Sequence, residues 1–228
     1  MQENRSKQTP NKIVAMEQAK DNKAFEETYR YYLSQIADLD PAETASRLGC
    51  SREGQELLIP LYGRTYRVGP AGMVSPEGKR PIHAEVVLFS KHLLLAPEVP
   101  AEPREWASFQ DFKDGAPFAA AFANQVEKGL AQDFSGRSQE LEQACERLNG
   151  QDPQMGLSYT ICRSFRALPR INVLLLFDEM DEEFPAEAKI LFPDNINHYL
   201  DMECVAILGW LLKDYLRLAV GGREMSII

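Results

Sequence analysis

The most constraining stretch of the chain is residues 170–177, RINVLLLF. A run of this length with apolar side chains on nearly every position suits a strand covered on both faces. Such a strand has to lie inside a sheet with a neighbour on each edge. An acidic turn at residues 178–183, DEMDEE, stops it. Before it, Leu157, Tyr159, Ile161, Arg163 and Phe165 alternate with Ser158, Thr160, Cys162 and Ser164, which predicts a half-buried strand. After it, Phe184, Ala186, Ala188, Ile190 and Phe192 alternate against Glu183, Pro185, Glu187 and Lys189. The link at residues 167–170 is short enough for antiparallel pairing, so the three runs read as an antiparallel meander.

A second β signal lies at residues 57–68. Leu57, Ile59 and Leu61 alternate, and Gly63-Arg64 suits a type II′ turn into residues 65–68. Pro60 has no N–H for a ladder, which points to an edge strand, and this hairpin is expected to extend the meander to four or five strands. The remaining segments read as helices. Phe25, Tyr29, Tyr32, Leu33, Ile36 and Leu39 recur at spacings of three and four from Lys23 onward; residues 1–11 are polar and expected to fray. Asp40-Pro41-Ala42-Glu43 opens a second helix with Ala42, Ala45 and Leu48 inward and Gly49 as its stop. Helices are also expected at residues 81–95 (Ile82, Val86, Phe89 and Leu93 inward), 117–134, 138–148 and 202–218. Asp201 caps the last, and its stretch 204–212 has no polar face, which predicts a helix sandwiched between other elements. The fold class is therefore α+β: an antiparallel sheet of four or five strands packed with a C-terminal helix and middle helices. Residues 1–49 read as an N-terminal helical appendage and 50–228 as the α+β domain.

The formal net charge is −9 and the sequence pI about 5.0, against the basic face that nucleic acid requires. The longest apolar stretch, nine residues at 204–212, is too short to span a bilayer. Cys50, Cys145, Cys162 and Cys204 are far apart, with no C-x-x-C and no Cys/His pair at ligand spacing. With no secretory pattern at residues 1–18, a reduced cytoplasmic setting is expected and the cysteines read as small buried apolar groups.

Few motifs carry chemistry. The segment from Gly72 to Lys79 resembles a phosphate loop only superficially. Five residues separate Gly72 from Gly78, and Arg80 stands where Ser or Thr would hold magnesium. His83 and His92 are nine apart on one predicted helix, on opposite faces, so they cannot share a ligand and read as a flank and an edge residue. The acidic turn offers oxygen ligands for a hard cation, but carboxylates also gather at turns simply because they are solvated there. His198 lies close in sequence to Asp201 and Glu203, where a carboxylate could orient an imidazole; the alternative is a histidine that packs a tight connection. The candidate ligand-binding residues are Arg170 as an anion anchor, Asp181, Glu182, His198 and Glu203, with no metal or cofactor assigned.

The segments LPRINVLLLF (168–177), DEEFP (181–185), KILF (189–192), His198-Tyr199-Leu200 and Glu203 together resemble a prokaryotic domain family of unknown function. The resemblance extends over residues 55–218 and implies an occurrence mainly in anaerobic bacteria and archaea. Some members of that family carry an iron–sulfur module; residues 1–49 contain no cysteine, so the module is not expected here. The resemblance assigns no activity. Two readings follow: a non-catalytic ligand-binding or accessory protein of anaerobic metabolism, or a metal-assisted, hydrolase-like enzyme using the acidic turn and His198. The first expects an apolar groove lined by Tyr, Trp or Phe, with a small molecule or a protein as partner. The second needs His198, Glu203 and at least two turn carboxylates in one pocket. Exposed apolar positions on the first helix would suit a homodimer.

Overall fold

The computed structural model describes residues 9–222 and Met225, with backbone only for residues 9–22. Its centre is β7, Ile171–Asp178, paired antiparallel with β6, Ile161–Leu168, on one edge and β8, Glu187–Pro193, on the other. Every residue of β7 except Asn172 and Asp178 is buried, as an interior strand covered on both faces requires. The fourth strand is β5, Trp106–Ser108, which pairs with β8 only over Leu191 to Pro193 and gives the order β5-β8-β7-β6.

Both strands that flank β7 start later than their alternation suggests. Leu157 and Tyr159 are exposed, because the ladder ends where the Asp178 carboxylate takes the Thr160 N–H at 3.1 Å. Phe184 is 65% exposed and belongs to the turn, where Asp181 Oδ1 accepts the backbone N–H groups of Glu183 (2.8 Å) and Phe184 (2.7 Å). Between β6 and β7, Pro169 and Arg170 form the tight connection, with Arg170 in the left-handed region at φ 61°.

The first hairpin does not extend this sheet. It builds a second one with strands β1 (Ser51–Glu53), β2 (Glu56–Leu61), β3 (Arg64–Gly69) and β4 (Gly72–Val74), in that order. Pro60 is accommodated because β1 pairs no further than Leu58, so no β1 residue stands opposite it. The turn falls one residue earlier than expected. Tyr62 and Gly63 both have positive φ (47° and 78°), the requirement of a type I′ rather than a type II′ turn. Buried Tyr62 then donates its hydroxyl to the Leu208 carbonyl at 2.9 Å, tying this sheet to the C-terminal helix.

Among the described residues seven α-helices complete the fold: α1 (Thr9–Ala37), α2 (Pro41–Leu48), α3 (His83–Leu95), α4 (Ala116–Phe122), α5 (Lys128–Phe134), α6 (Ser138–Arg147) and α7 (Met202–Ala219). Helix α1 starts well before Lys23; residues 1–8 of the stretch expected to fray lie outside the described residues. Asp40 caps α2 by accepting from Ala42 and Glu43 N–H groups, both at 2.8 Å, and Gly49 ends it at φ 67°. Ala42 is nevertheless exposed, and Thr44 takes the inner position with Ala45 and Leu48. A single turn of π-helix, Ala123–Glu127, joins α4 to α5 and directs buried Glu127 at β8. There it accepts the Ile190 N–H and the Lys189 ammonium, both at 3.2 Å, closing the edge that β5 is too short to reach. Apolar side chains from both sheets and all seven helices merge into one core, so the α+β class is borne out in a two-sheet form.

Candidate functional site

The five residues singled out from sequence do not meet. Strand β7 starts next to Arg170 and ends in the acidic turn, a span of about 24 Å for eight residues. Strand β8 runs back from the turn, pairing Glu187 with Asp178, and delivers His198 to the Arg170 end. Asp181 and Glu182 are thus at the far end of the sheet from His198, and the pocket the hydrolase-like reading needs is not formed. Among the described residues no three of His, Cys, Asp and Glu stand where they could hold one metal ion.

The turn carboxylates have local work instead. Glu179 accepts the Gly136 N–H at 2.8 Å and the Ser138 N–H at 3.1 Å, so it caps α6 from a distant part of the chain. Burial raises its pKa, but these backbone donors outweigh burial and hold the carboxyl below its ordinary value. The N–H groups of Phe184 and Glu183 do the same for Asp181. At the other end, the Arg170 guanidinium donates to the Arg47 carbonyl at 2.6 Å, filling an acceptor at the C-terminus of α2. His198 is exposed in a 3-10 turn, and its ring has no partner in Asp201 or Glu203. Asp201 is engaged elsewhere, capping α7 through the Cys204 N–H at 3.0 Å and pairing with Lys91 at 3.1 Å.

Glu203 and the Lys91–Asp201 pair belong to a different feature, a groove of about 570 Å³ between α1, α3 and α7. Its apolar surface comes from Val87, Ile207, Trp210, Tyr32 and Phe118. Lys91, Asp201, Glu203 and His83 supply its polar groups. The volume falls in the range of small-molecule sites, and the mixture of an aromatic-rich wall with a few polar groups is their usual composition. The Asp201 hydrogen bond raises the Lys91 pKa, so that ammonium is charged throughout the physiological range. Asp201 is raised by burial but held low by the Cys204 N–H and by Lys91.

The walls of the groove are fixed from behind by a buried polar cluster. The Tyr66 hydroxyl donates to Glu85 Oε1 at 2.7 Å, the Tyr215 hydroxyl donates to the same oxygen, and the two hydroxyls lie 3.1 Å apart. Burial first, and the Glu85 charge second, push both tyrosines well above the ordinary phenol pKa. The Arg64 guanidinium lies 5.6 Å from the Tyr66 ring centre and 5.3 Å from that of Tyr215, and pairs with Glu77 at 2.9 Å. One carboxylate on α3 therefore ties β3 to α7. Glu85 also accepts the Ile82 N–H at 3.1 Å, capping its own helix.

His92 sits further along α3 and is fully buried rather than an edge residue, because α3 turns that face toward Tyr199 and the 169–170 connection. Burial pushes its pKa down to about 3, offset only in part by the nearby Pro169 carbonyl, and neither ring nitrogen makes a hydrogen bond of good geometry. Cys145 and Cys204 are buried thiols as expected, with burial pushing Cys145 up to about 12; Cys50 and Cys162 are only half-buried, and all four are free.

Sequence reasoning missed Tyr32, Lys91, Val87, Phe118 and Trp210. One signal was available: His83, Val87 and Lys91 repeat at intervals of four on α3, opposite the inward stripe, and place an apolar residue between two polar ones.

Scaffold and groove together define an α+β protein with a half-open, aromatic-lined cleft. The chain belongs to the family described as a domain of unknown function, DUF3786, whose sequence model matches residues 40–215. The match includes α2, so the family segment begins earlier than the resemblance over residues 55–218 implied. No curated protein and no solved structure matches the chain.

Proposed function

We propose that the protein is a non-catalytic binding protein that holds a small molecule in the groove between α1, α3 and α7. The observation that carries this reading is the groove's composition, an apolar bed of Val87, Ile207 and Trp210 beside the charged Lys91–Asp201 pair. A ligand with an apolar body and one polar end matches it: the body lies on Trp210 and Ile207, and the polar end exchanges hydrogen bonds with Lys91 or Glu203. The division into a helical appendage at residues 1–49 and a domain at 50–228 gives α1 a role here, because α1 supplies Tyr32 as one wall. A reduced, cytoplasmic setting and a place in anaerobic metabolism go with this reading, the first supported by four free cysteines. No described helix is long and apolar enough to cross a membrane.

The test is mass spectrometry of small molecules released from protein purified without oxygen, compared with Ile207→Arg. Ile207 is half-exposed in the groove, so the substitution blocks the site without opening the core. The expected result is a compound released from the wild type and absent from the variant at equal folded yield. The same compounds from both, or none from either, would remove the proposal.

A further inference from the structure

A second surface lies at the other end of the molecule, away from His198. Strand β6 begins at Ile161 opposite Phe177, so residues 152–160, running from the Gln151–Ser164 bridge to the start of β6, meet the turn 178–187 at this end of the β5-β8-β7-β6 sheet. The Asp178 carboxylate on Thr160 N–H and the Thr160 hydroxyl on Glu179 N–H, at 3.1 and 3.0 Å, stitch the two segments together. Nine large apolar side chains stand exposed among the described residues, and five of them are here: Met155, Leu157, Tyr159, Met180 and Phe184. Scattered single exposures need no explanation, but a group of five at one end of one sheet does.

The same two segments hold seven carboxylates and no lysine or arginine. Asp178, Glu179 and Asp181 are engaged with backbone N–H groups, which leaves Glu182 and Glu183 exposed beside Phe184 with no ion-pair partner among the described residues. Of the basic groups around this end, Arg137 pairs with Glu140, Lys189 with Glu127 and Arg163 with Glu142, while Lys128, beside Pro185 and Glu187, donates to the Asn124 side chain. Apolar contact area is therefore presented among carboxylates that outnumber the nearby cations.

We infer that this end is a docking surface for a basic amphipathic segment of another protein, whose apolar face covers Phe184 and Met180 while its Lys or Arg residues meet Glu182 and Glu183. The sign of the field selects against the other occupants. Two copies meeting face to face would bring like charges together. Nucleic acid and the anionic face of a membrane are repelled in the same way.

The probe is a helical peptide of about 18 residues, five turns, with leucine on one face and lysine on the other. Its binding to the full chain is measured by calorimetry beside a scrambled peptide of equal composition. Phe184→Ser/Met180→Ser and Glu182→Lys/Glu183→Lys are the variants, all at exposed positions whose change leaves the fold intact. The inference expects one-to-one binding that weakens with salt, at least about tenfold weaker in each double variant and for the scrambled peptide. The Phe184/Met180 variant is decisive, because an acidic chain attracts lysine-rich peptides without any apolar contact. Equal binding by wild type and that variant, or no binding to the wild type, overturns the inference. So does a dimer seen by sedimentation that Phe184→Ser/Met180→Ser dissolves, since a second copy would then be the occupant.

Discussion

The acidic turn after β7 and the cluster around Glu85 use carboxylates in opposite ways. The turn concentrates five of them within six positions, all exposed or half-exposed, and three serve backbone N–H groups of their surroundings. The cluster holds a single carboxylate, 5% exposed, and three elements of the fold depend on it. Density of charge along a sequence therefore says little about consequence. What decides is whether the group has lost its water, because an unpaired buried partner costs its full desolvation.

The comparison can be broken experimentally, and Glu85→Ala should have the largest effect. It strips the acceptor from two buried tyrosine hydroxyls, and a loss of about 3 kcal/mol in urea unfolding is expected. A loss below about 1 kcal/mol would mean that water can replace the carboxylate. His92 gives the next effect and has a pH signature. Its folded pKa of about 3 lies below the usual imidazole value, so its neutral form is fully accommodated above about pH 6.5. As pH falls from there toward 3 the unfolded chain takes up a proton that the folded chain refuses, and stability declines by about 1.4 kcal/mol per pH unit. Denaturation midpoints between pH 7 and 5 should fall in the wild type, and His92→Leu should remove that part of the slope. The smallest effects belong to the turn. Glu179→Ala should cost about 1 kcal/mol through loss of the α6 cap, whereas Glu182→Ala should stay within about 0.5 kcal/mol. Equal losses at both positions would mean that the turn acts through its summed charge instead of through capping.

Local patterns in the chain were legible and distant ones were not. The interior position of β7, the Asp40 and Asp201 caps and the inward face of α3 each rest on residues within a few turns or one strand of each other. The two-sheet arrangement escaped because β5 is three residues long and finds β8 some eighty residues later, a pairing that no hydrophobic period announces. Glu85 looks in sequence like any surface glutamate on a helix; only the arrival of Tyr66 and Tyr215 buries it. The groove was illegible for the same reason, since Tyr32, Lys91 and Trp210 lie on three helices far apart in the chain. His198 and the acidic turn looked like neighbours because only fourteen residues lie between Glu183 and His198, yet half of those residues are strand β8 and carry the chain the length of the sheet.

Gly209, midway along α7, extends this dependence on distant contacts to an absent side chain. A Cβ there would lie 2.3 Å from the Phe122 ring, so α4 can rest against α7 only because that position is bare. Phe118 is one helical turn before Phe122 and forms part of the groove. The seating of α4 beside the cleft is in this sense set by a hydrogen atom: a methyl group at residue 209 would run into the Phe122 ring and displace it, one helical turn from the Phe118 wall.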